Sequence, residues 1–160
     1  MTAFGHNAFL AQISLRHKDR LDIFFTKPLQ APSMSNAKEL IDAAVSARKN
    51  ALAPFSNYLV GAAVRTKSGG IIRGCNVEVP ILGLSKCAEQ VALFAAIAAG
   101  HVEFTEIAVA TRDGAKPCGA CRQVIWDLCG DIVIYVTDGN GEVATHRSKD
   151  LLPHAFELLD

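Results

Sequence analysis

The chain lacks any apolar run that approaches the roughly 20 residues a bilayer-spanning helix needs. It also lacks the uninterrupted apolar stretch of a secretory signal, because Arg16, Lys18, Asp19 and Arg20 break up the N-terminus. Asp19 and Asp22 argue against an organelle transit peptide, since such peptides are poor in acids. Net charge is missing too: 16 basic residues stand against 16 acidic ones, and no Lys/Arg run occurs. Binders of polymeric DNA or RNA present a basic face, so neither is expected as a partner. A cytoplasmic location is expected, where thiols stay reduced and clustered cysteines serve as metal ligands or catalytic groups rather than disulfides. Internal repeats and low-complexity tracts are absent.

What is present is a chain of 160 residues, half of them hydrophobic and a fifth charged. That is one ordinary domain with enough length for its own core. Residues 1–33 mix apolar and charged residues without a sustained period, and end in a loop with Pro28 and Pro32; they are read as an N-terminal extension to a domain spanning 34–160. From Asn36 the pattern tightens. Asn36 and Glu39 have the spacing of a capping box, and Leu40, Ile41, Ala44, Val45 and Leu52 form an apolar helical stripe ending before Pro54. Tyr58–Thr66 and Ile71–Val79 read as two strands of a hairpin around Ser68-Gly69-Gly70. Ser85 is expected to cap a helix from Cys87 to Ala99, apolar nearly all round and so buried, that stops at Gly100. Phe104–Thr111 is a third strand, Pro117 opens a helix through Leu128, and Ile132–Val136 and Glu142–Thr145 are further strands. A helix interrupted by Pro153 ends the chain over Ser148–Leu159. This alternation predicts a three-layer α/β/α sandwich around a mixed sheet of about five strands.

The chemistry lies in the cysteines. Cys118 and Cys121 sit three apart at a helix start, and Cys87 begins another helix. Helix N-termini carry partial positive charge and free N–H groups that favour thiolates. Three thiolates from two helix starts suit a tetrahedral zinc ion, one per chain. No second CxxC and no nearby histidine supplies a fourth ligand, which leaves a position for water, as in catalytic rather than structural zinc sites. Glu89, two residues after Cys87, projects beside the thiolate and suits proton transfer to and from such a water. Spacing alone leaves two other readings open: a thioredoxin-like redox pair at Cys118 and Cys121, and cysteines that simply pack in a core. Cys75 and Cys129 are taken as core residues, and the five histidines are given no role.

Beyond the cysteines, the chain resembles the cytidine deaminase family in its small, all-cysteine zinc form. The resemblance rests on Ala53-Pro54-Phe55-Ser56-Asn57-Tyr58-Leu59-Val60-Gly61-Ala62-Ala63, on Gly74-Cys75-Asn76-Val77-Glu78, on Cys87-Ala88-Glu89, on Pro117-Cys118-Gly119-Ala120-Cys121-Arg122-Gln123 and on Asp150-Leu151-Leu152-Pro153. It spans about residues 36–155, and the zinc signature is that of the deaminases as a class. It implies that Cys87, Cys118 and Cys121 hold zinc and that a zinc-bound hydroxide attacks C4 of cytosine. Glu89 would move protons in that reaction, which converts cytidine or deoxycytidine to uridine or deoxyuridine plus ammonia in pyrimidine salvage. It further implies that Asn76 and Glu78 hydrogen-bond the sugar, that Tyr58 and Ala88 contact the substrate, and that neighbouring subunits of a homotetramer complete each site. Two departures stand out. Gln90 replaces the family's usual Arg, leaving Arg122 and the helix termini to offset the thiolate charge. Val79-Pro80-Ile81-Leu82-Gly83 replaces a segment whose tyrosine helps contact the sugar. The second departure keeps open a related substrate, such as a blasticidin-like nucleoside or a modified cytidine.

Overall fold

The computed structural model describes residues 34–157. In chain order the elements are α1 (Met34–Arg48), β1 (Gly61–Thr66), β2 (Ile71–Cys75), a 3-10 turn (Leu82–Leu84), α2 (Ala88–Ala98), β3 (Phe104–Ala110), α3 (Gly119–Cys129), β4 (Val133–Thr137), β5 (Val143–Arg147) and a short α4 (Ser148–Leu151). The five strands form one sheet in the order β2-β1-β3-β4-β5. β1 runs antiparallel to β2 and β3, β3 runs parallel to β4, and β4 runs antiparallel to β5. The single parallel pair requires a crossover, and α3 supplies it.

Strand alternation sorts the core onto two faces. Ala62, Val64, Ile107, Ile134 and Val136 pack with Ala88, Ala92, Leu93, Ala96 and Ile125, so α2 and α3 cover one face. Ala63, Ala108, Ala110 and Tyr135 pack with Leu40 and Ala44, so α1 covers the other. The sandwich is therefore three-layered, as the sequence pattern implies. Two glycines set how closely the helices approach. A Cβ on Gly61 would lie 2.1 Å from the Ala44 carbonyl oxygen of α1, and one on Gly74 would lie 2.6 Å from the Ala88 carbonyl oxygen of α2. Gly74 thus lets the start of α2, with Cys87 at its cap, rest directly on β2.

On the α1 face, Arg65 is ion-paired to the buried Glu106 at 2.9 Å, and the Tyr135 hydroxyl donates to the same carboxylate at 3.2 Å. Arg65 also donates to the Asn36 carbonyl and pairs with Glu39 at 3.4 Å. Asn36 and Glu39 are therefore tied to β1 inside a helix that already runs from Met34, and they do not form the expected capping box. Leu52 lies beyond the end of α1 and is exposed, because the chain leaves the helix at Arg48 to pair Leu52 with Val77.

The remaining differences concern element ends. Strand pairing begins at Gly61 rather than Tyr58 and stops at Cys75 rather than Val79. Ser85 closes the 3-10 turn and exchanges hydrogen bonds with Val79; Cys87 is the residue that caps α2. Pro117 precedes the cap Cys118 instead of opening α3. α2 is buried only along one side, leaving Phe94, Ala95 and Ala98 exposed. The C-terminal helix is a single turn ending at Leu151. The expectation for residues 1–33 lies outside the described residues.

Candidate metal centre and active site

Each cysteine of the candidate metal centre enters the site by a local rule. Cys87 and Cys118 hold the extended N-cap conformation before α2 and α3, and Cys121 sits in the first turn of α3. The Cys118 sulfur takes the place of a capping oxygen: it accepts the Cys121 N–H at 3.5 Å. The first-turn N–H groups of both helices place a positive electrostatic potential at the sulfurs, which favours their thiolate form. The three Sγ atoms lie within 4.8 Å of one another, with Cys87 and Cys118 3.9 Å apart. Cys121 is buried, Cys87 half-buried and Cys118 exposed, so the cluster opens toward solvent on the Cys118 side.

Hydrogen bonds from Cys121 first, and then from Cys118 and the nearby Lys86 charge, bring Cys87 down to about 6 despite its burial. Cys121 moves up, because it is the donor to Cys87 and is itself buried. Cys87 thus becomes a thiolate before Cys121, and a bound cation would displace the remaining protons. Lys86 has no counterpart among the residues singled out from sequence; the signal was a cation immediately before Cys87.

Glu89 is only 4% exposed, in the first turn of α2. Burial pushes its carboxyl up to about 7, the Cys87 charge adds to that, and a hydrogen bond with the Cys121 thiol partly offsets it. A carboxyl poised near neutrality beside three sulfurs has the properties of a general acid–base group. The donor set fits zinc: soft sulfur ligands, converging geometry and one side left open for a fourth, exchangeable ligand. Nothing in this arrangement favours Cys118 and Cys121 as an isolated redox pair, since Cys87 and Glu89 close around them.

The other residues singled out from sequence surround this centre with their side chains already engaged. Asn76 is buried; its Oδ1 accepts the Val60 N–H and its Nδ2 donates to the Tyr58 carbonyl, both at 2.8 Å. Glu78 accepts the Phe55 and Ser56 N–H groups at 3.0 Å, and the Ser56 hydroxyl as well. The Ser56 side-chain and main-chain hydrogen bonds hold the Glu78 carboxyl below its ordinary range. Tyr58 donates its hydroxyl to Asp113 and has the Arg112 guanidinium over its ring, 4.9 Å from the centroid. Ala88 is fully buried at the start of α2, where its N–H is one of the helix's unpaired first-turn donors. Arg122 donates to the carbonyls of Pro117 at 2.7 Å and Leu151 at 3.0 Å, bracing the cap of α3 against the C-terminal turn. Cys75 and Cys129 stand outside the cluster, both half-buried rather than fully in the core. The 3-10 turn leaves Ile81, Leu82 and Leu84 exposed.

A three-layer α/β/α domain that presents three cysteines and a buried glutamate at two helix starts is the architecture of a zinc-dependent hydrolytic deaminase. Comparison with known proteins places it more closely. Residues 34–137 match the family model for the cytidine and deoxycytidylate deaminase zinc-binding region, and the chain belongs to that family. It is similar to a cytidine deaminase of Halalkalibacterium halodurans, with 42% identity over 124 residues covering 76% of this chain and 94% of the relative. The crystal structure of cytidine deaminase from Burkholderia pseudomallei superimposes with a TM-score of 0.71 at 46% identity, covering 74% of this chain and 98% of that one. A blasticidin-S deaminase of Bacillus cereus is 32% identical over 109 residues, 61% of this chain and 76% of that protein.

Proposed function

We propose that the chain deaminates cytidine and deoxycytidine to uridine and deoxyuridine with release of ammonia. The observation that carries this is the convergence of Cys87, Cys118 and Cys121 on one point with Glu89 buried beside them. The similarity to cytidine deaminases over nearly the whole length of those proteins supports the substrate.

Cys87, Cys118 and Cys121 are the groups that hold the zinc ion. When bound, zinc acts as a Lewis acid that makes a water molecule nucleophilic near neutral pH. Glu89 would accept one proton from the water and deliver it to N3 of the pyrimidine as C4 is attacked, then take the remaining proton from the new C4 hydroxyl and pass it to the departing amine. The balance is one water consumed and one ammonia released. A carboxyl held near 7 by burial can both take and give a proton at physiological pH, which this double task requires. The Ala88 N–H faces the role of a donor to the base. Tyr58 supplies an aromatic face to the base. Asn76 and Glu78 each retain hydrogen-bonding capacity beyond the bonds they make within the chain, and that capacity serves the sugar hydroxyl. Arg122, Lys86 and the two helix termini offset the sulfur charge that Gln90 leaves uncompensated.

We take residues 34–160 as the deaminase domain and 1–33 as an extension to it; the family match beginning at residue 34 supports that division. A homotetramer is the assembly we infer, supported by the exposed apolar residues Phe94 on α2 and Leu82 and Leu84 beside the site. No helix among the described residues is long and apolar enough to cross a membrane, in keeping with the cytoplasmic location we assign.

Ammonia release measured across cytidine, deoxycytidine, cytosine, cytidine monophosphate and a blasticidin-type nucleoside tests the reading. The two nucleosides should show the highest kcat/KM, because polar groups built to pair a sugar hydroxyl are left unpaired by the free base. Turnover of the antibiotic alone would transfer the site to that substrate, and a preference for cytosine would remove the sugar role of Asn76 and Glu78.

A further inference from the structure

Asp113 lies in the turn between β3 and the cap Cys118, outside every role assigned above. Its Oδ1 accepts the Tyr58 hydroxyl and also the Thr111 hydroxyl at 3.1 Å. The Thr111 oxygen in turn accepts the Ala115 N–H at 2.9 Å, which closes the turn. The neighbouring Arg112 covers a face of the Tyr58 ring. Residues 111–115 therefore grip Tyr58 both by its hydroxyl and by its ring. Two residues further on comes the buried Pro117, whose carbonyl is held by Arg122, and then Cys118.

The other end of Tyr58 is equally fixed. Its N–H donates to the Ser56 hydroxyl at 3.1 Å, Ser56 is bound by Glu78, and its carbonyl accepts from Asn76. A continuous hydrogen-bonded chain thus runs from Asn76 and Glu78 through the 56–58 segment to Tyr58, across to Asp113, and along the turn toward Cys118. The Tyr58–Asp113 bond, with the Thr111 hydroxyl also in hydrogen-bonding contact with Tyr58, links segments 55 residues apart in sequence. Phenylalanine at position 58 would keep the ring and lose that link. The bond also holds the Asp113 carboxyl below its usual range, so the acceptor is charged at neutral pH and the hydrogen bond is of the stronger, charge-assisted kind.

We infer that Asp113 is a positioning residue: acting through Tyr58 and the Thr111–Ala115 turn, it fixes the tilt of the aromatic ring at the substrate and the loop that presents Cys118 to the metal. The ring half of this inference rests on the substrate reading given above; the loop half does not.

The test is a double-mutant cycle on the full-length zinc protein with Tyr58→Phe, Asp113→Ala, the double variant and Asp113→Asn. Two quantities are read: KM and kcat for cytidine, and the rate of zinc transfer to a chromophoric chelator without substrate. Tyr58→Phe and Asp113→Ala should each raise KM by about tenfold, the size of one hydrogen bond to a charged acceptor, with a smaller change in kcat. The double variant should be no worse than Asp113→Ala alone. Zinc should leave Asp113→Ala faster than the wild type, and Asp113→Asn, which keeps an acceptor oxygen, should restore both quantities most of the way. Additive KM effects, or zinc release from Asp113→Ala at the wild-type rate, would overturn the inference. If Asp113→Ala does not fold, Tyr58→Phe decides alone, and an unchanged KM in that variant overturns it. A wild-type protein that ignores cytidine would overturn the substrate reading, while the chelator experiment would still judge Asp113.

Discussion

The segment from Asn76 to Leu84 leads directly into Cys87 of the cysteine cluster, yet the chain uses the side chains of the two regions in opposite ways. In the cluster, three sulfurs face one another at two helix caps, and the contacts among them are weak sulfur hydrogen bonds. In the second region, Asn76 and Glu78 make strong bonds that staple the 55–60 loop, while Ile81, Leu82 and Leu84 are left exposed. One region presents donors that converge on a point a metal can fill, and the other spends its hydrogen bonds within the protein. Residue type therefore points to a metal-binding group in the first region, whereas in the second it marks a group with a structural task that the structure shows and a binding task proposed above.

Removing a sulfur breaks the comparison most severely. Cys121→Ala takes away the buried ligand, and elemental analysis should show loss of the zinc and, with it, loss of deaminase activity. A variant that stays zinc-loaded would mean that the cluster does not depend on its metal ligands as described. A smaller effect is expected where both regions meet, at Gly74. The Cβ of Gly74→Ala would sit 2.6 Å from the Ala88 carbonyl and 2.4 Å from the Ala92 nitrogen, so α2 must shift. Such overpacking costs about 1–3 kcal/mol, measurable by denaturant unfolding, and zinc affinity should fall because Cys87 moves with the helix. Asn76→Ala should cost about 2 kcal/mol, two main-chain hydrogen bonds at ~1 kcal/mol each, while leaving the zinc content unchanged.

The smallest effect sharpens the same contrast through pH. The Glu78 carboxyl is held below its ordinary range by Ser56 and Phe55. Its contribution to stability is fully present above the unfolded value of about 4.3 and is lost as pH falls through the lowered folded value. The stability difference between the wild type and Glu78→Gln should therefore shrink on acidification through that window. A difference that grows as pH falls would show that the carboxylate is not held by these donors.

Much of this arrangement was legible in the sequence, for identifiable reasons. Strand and helix order followed from alternation and from Gly and Pro punctuation, and the convergence of Cys87, Cys118 and Cys121 from thiols placed at helix starts. Cap positions were misread by one or two residues because cysteine served as the cap where Ser85 and Pro117 carry the stronger local signals. The exposed side of α2 was misread because an apolar composition does not say which side the sheet covers. The Tyr58–Asp113 link was invisible, since a bond across 55 residues is made by tertiary structure; only the Thr111-Arg112-Asp113-Gly114 turn chemistry hinted at it. The Glu106–Arg65 pair is hidden in the sequence in the same way, because the two charges meet only across β1 and β3.

In the proposed division of labour the cluster binds the metal and Glu89 separately moves the protons. Glu89→Gln tests it most directly, by measuring bound zinc and cytidine turnover on the same sample. One zinc per chain should remain while kcat falls by roughly two to four decades, the usual contribution of a general acid–base group. Near-normal turnover with zinc in place would contradict the assignment of Glu89.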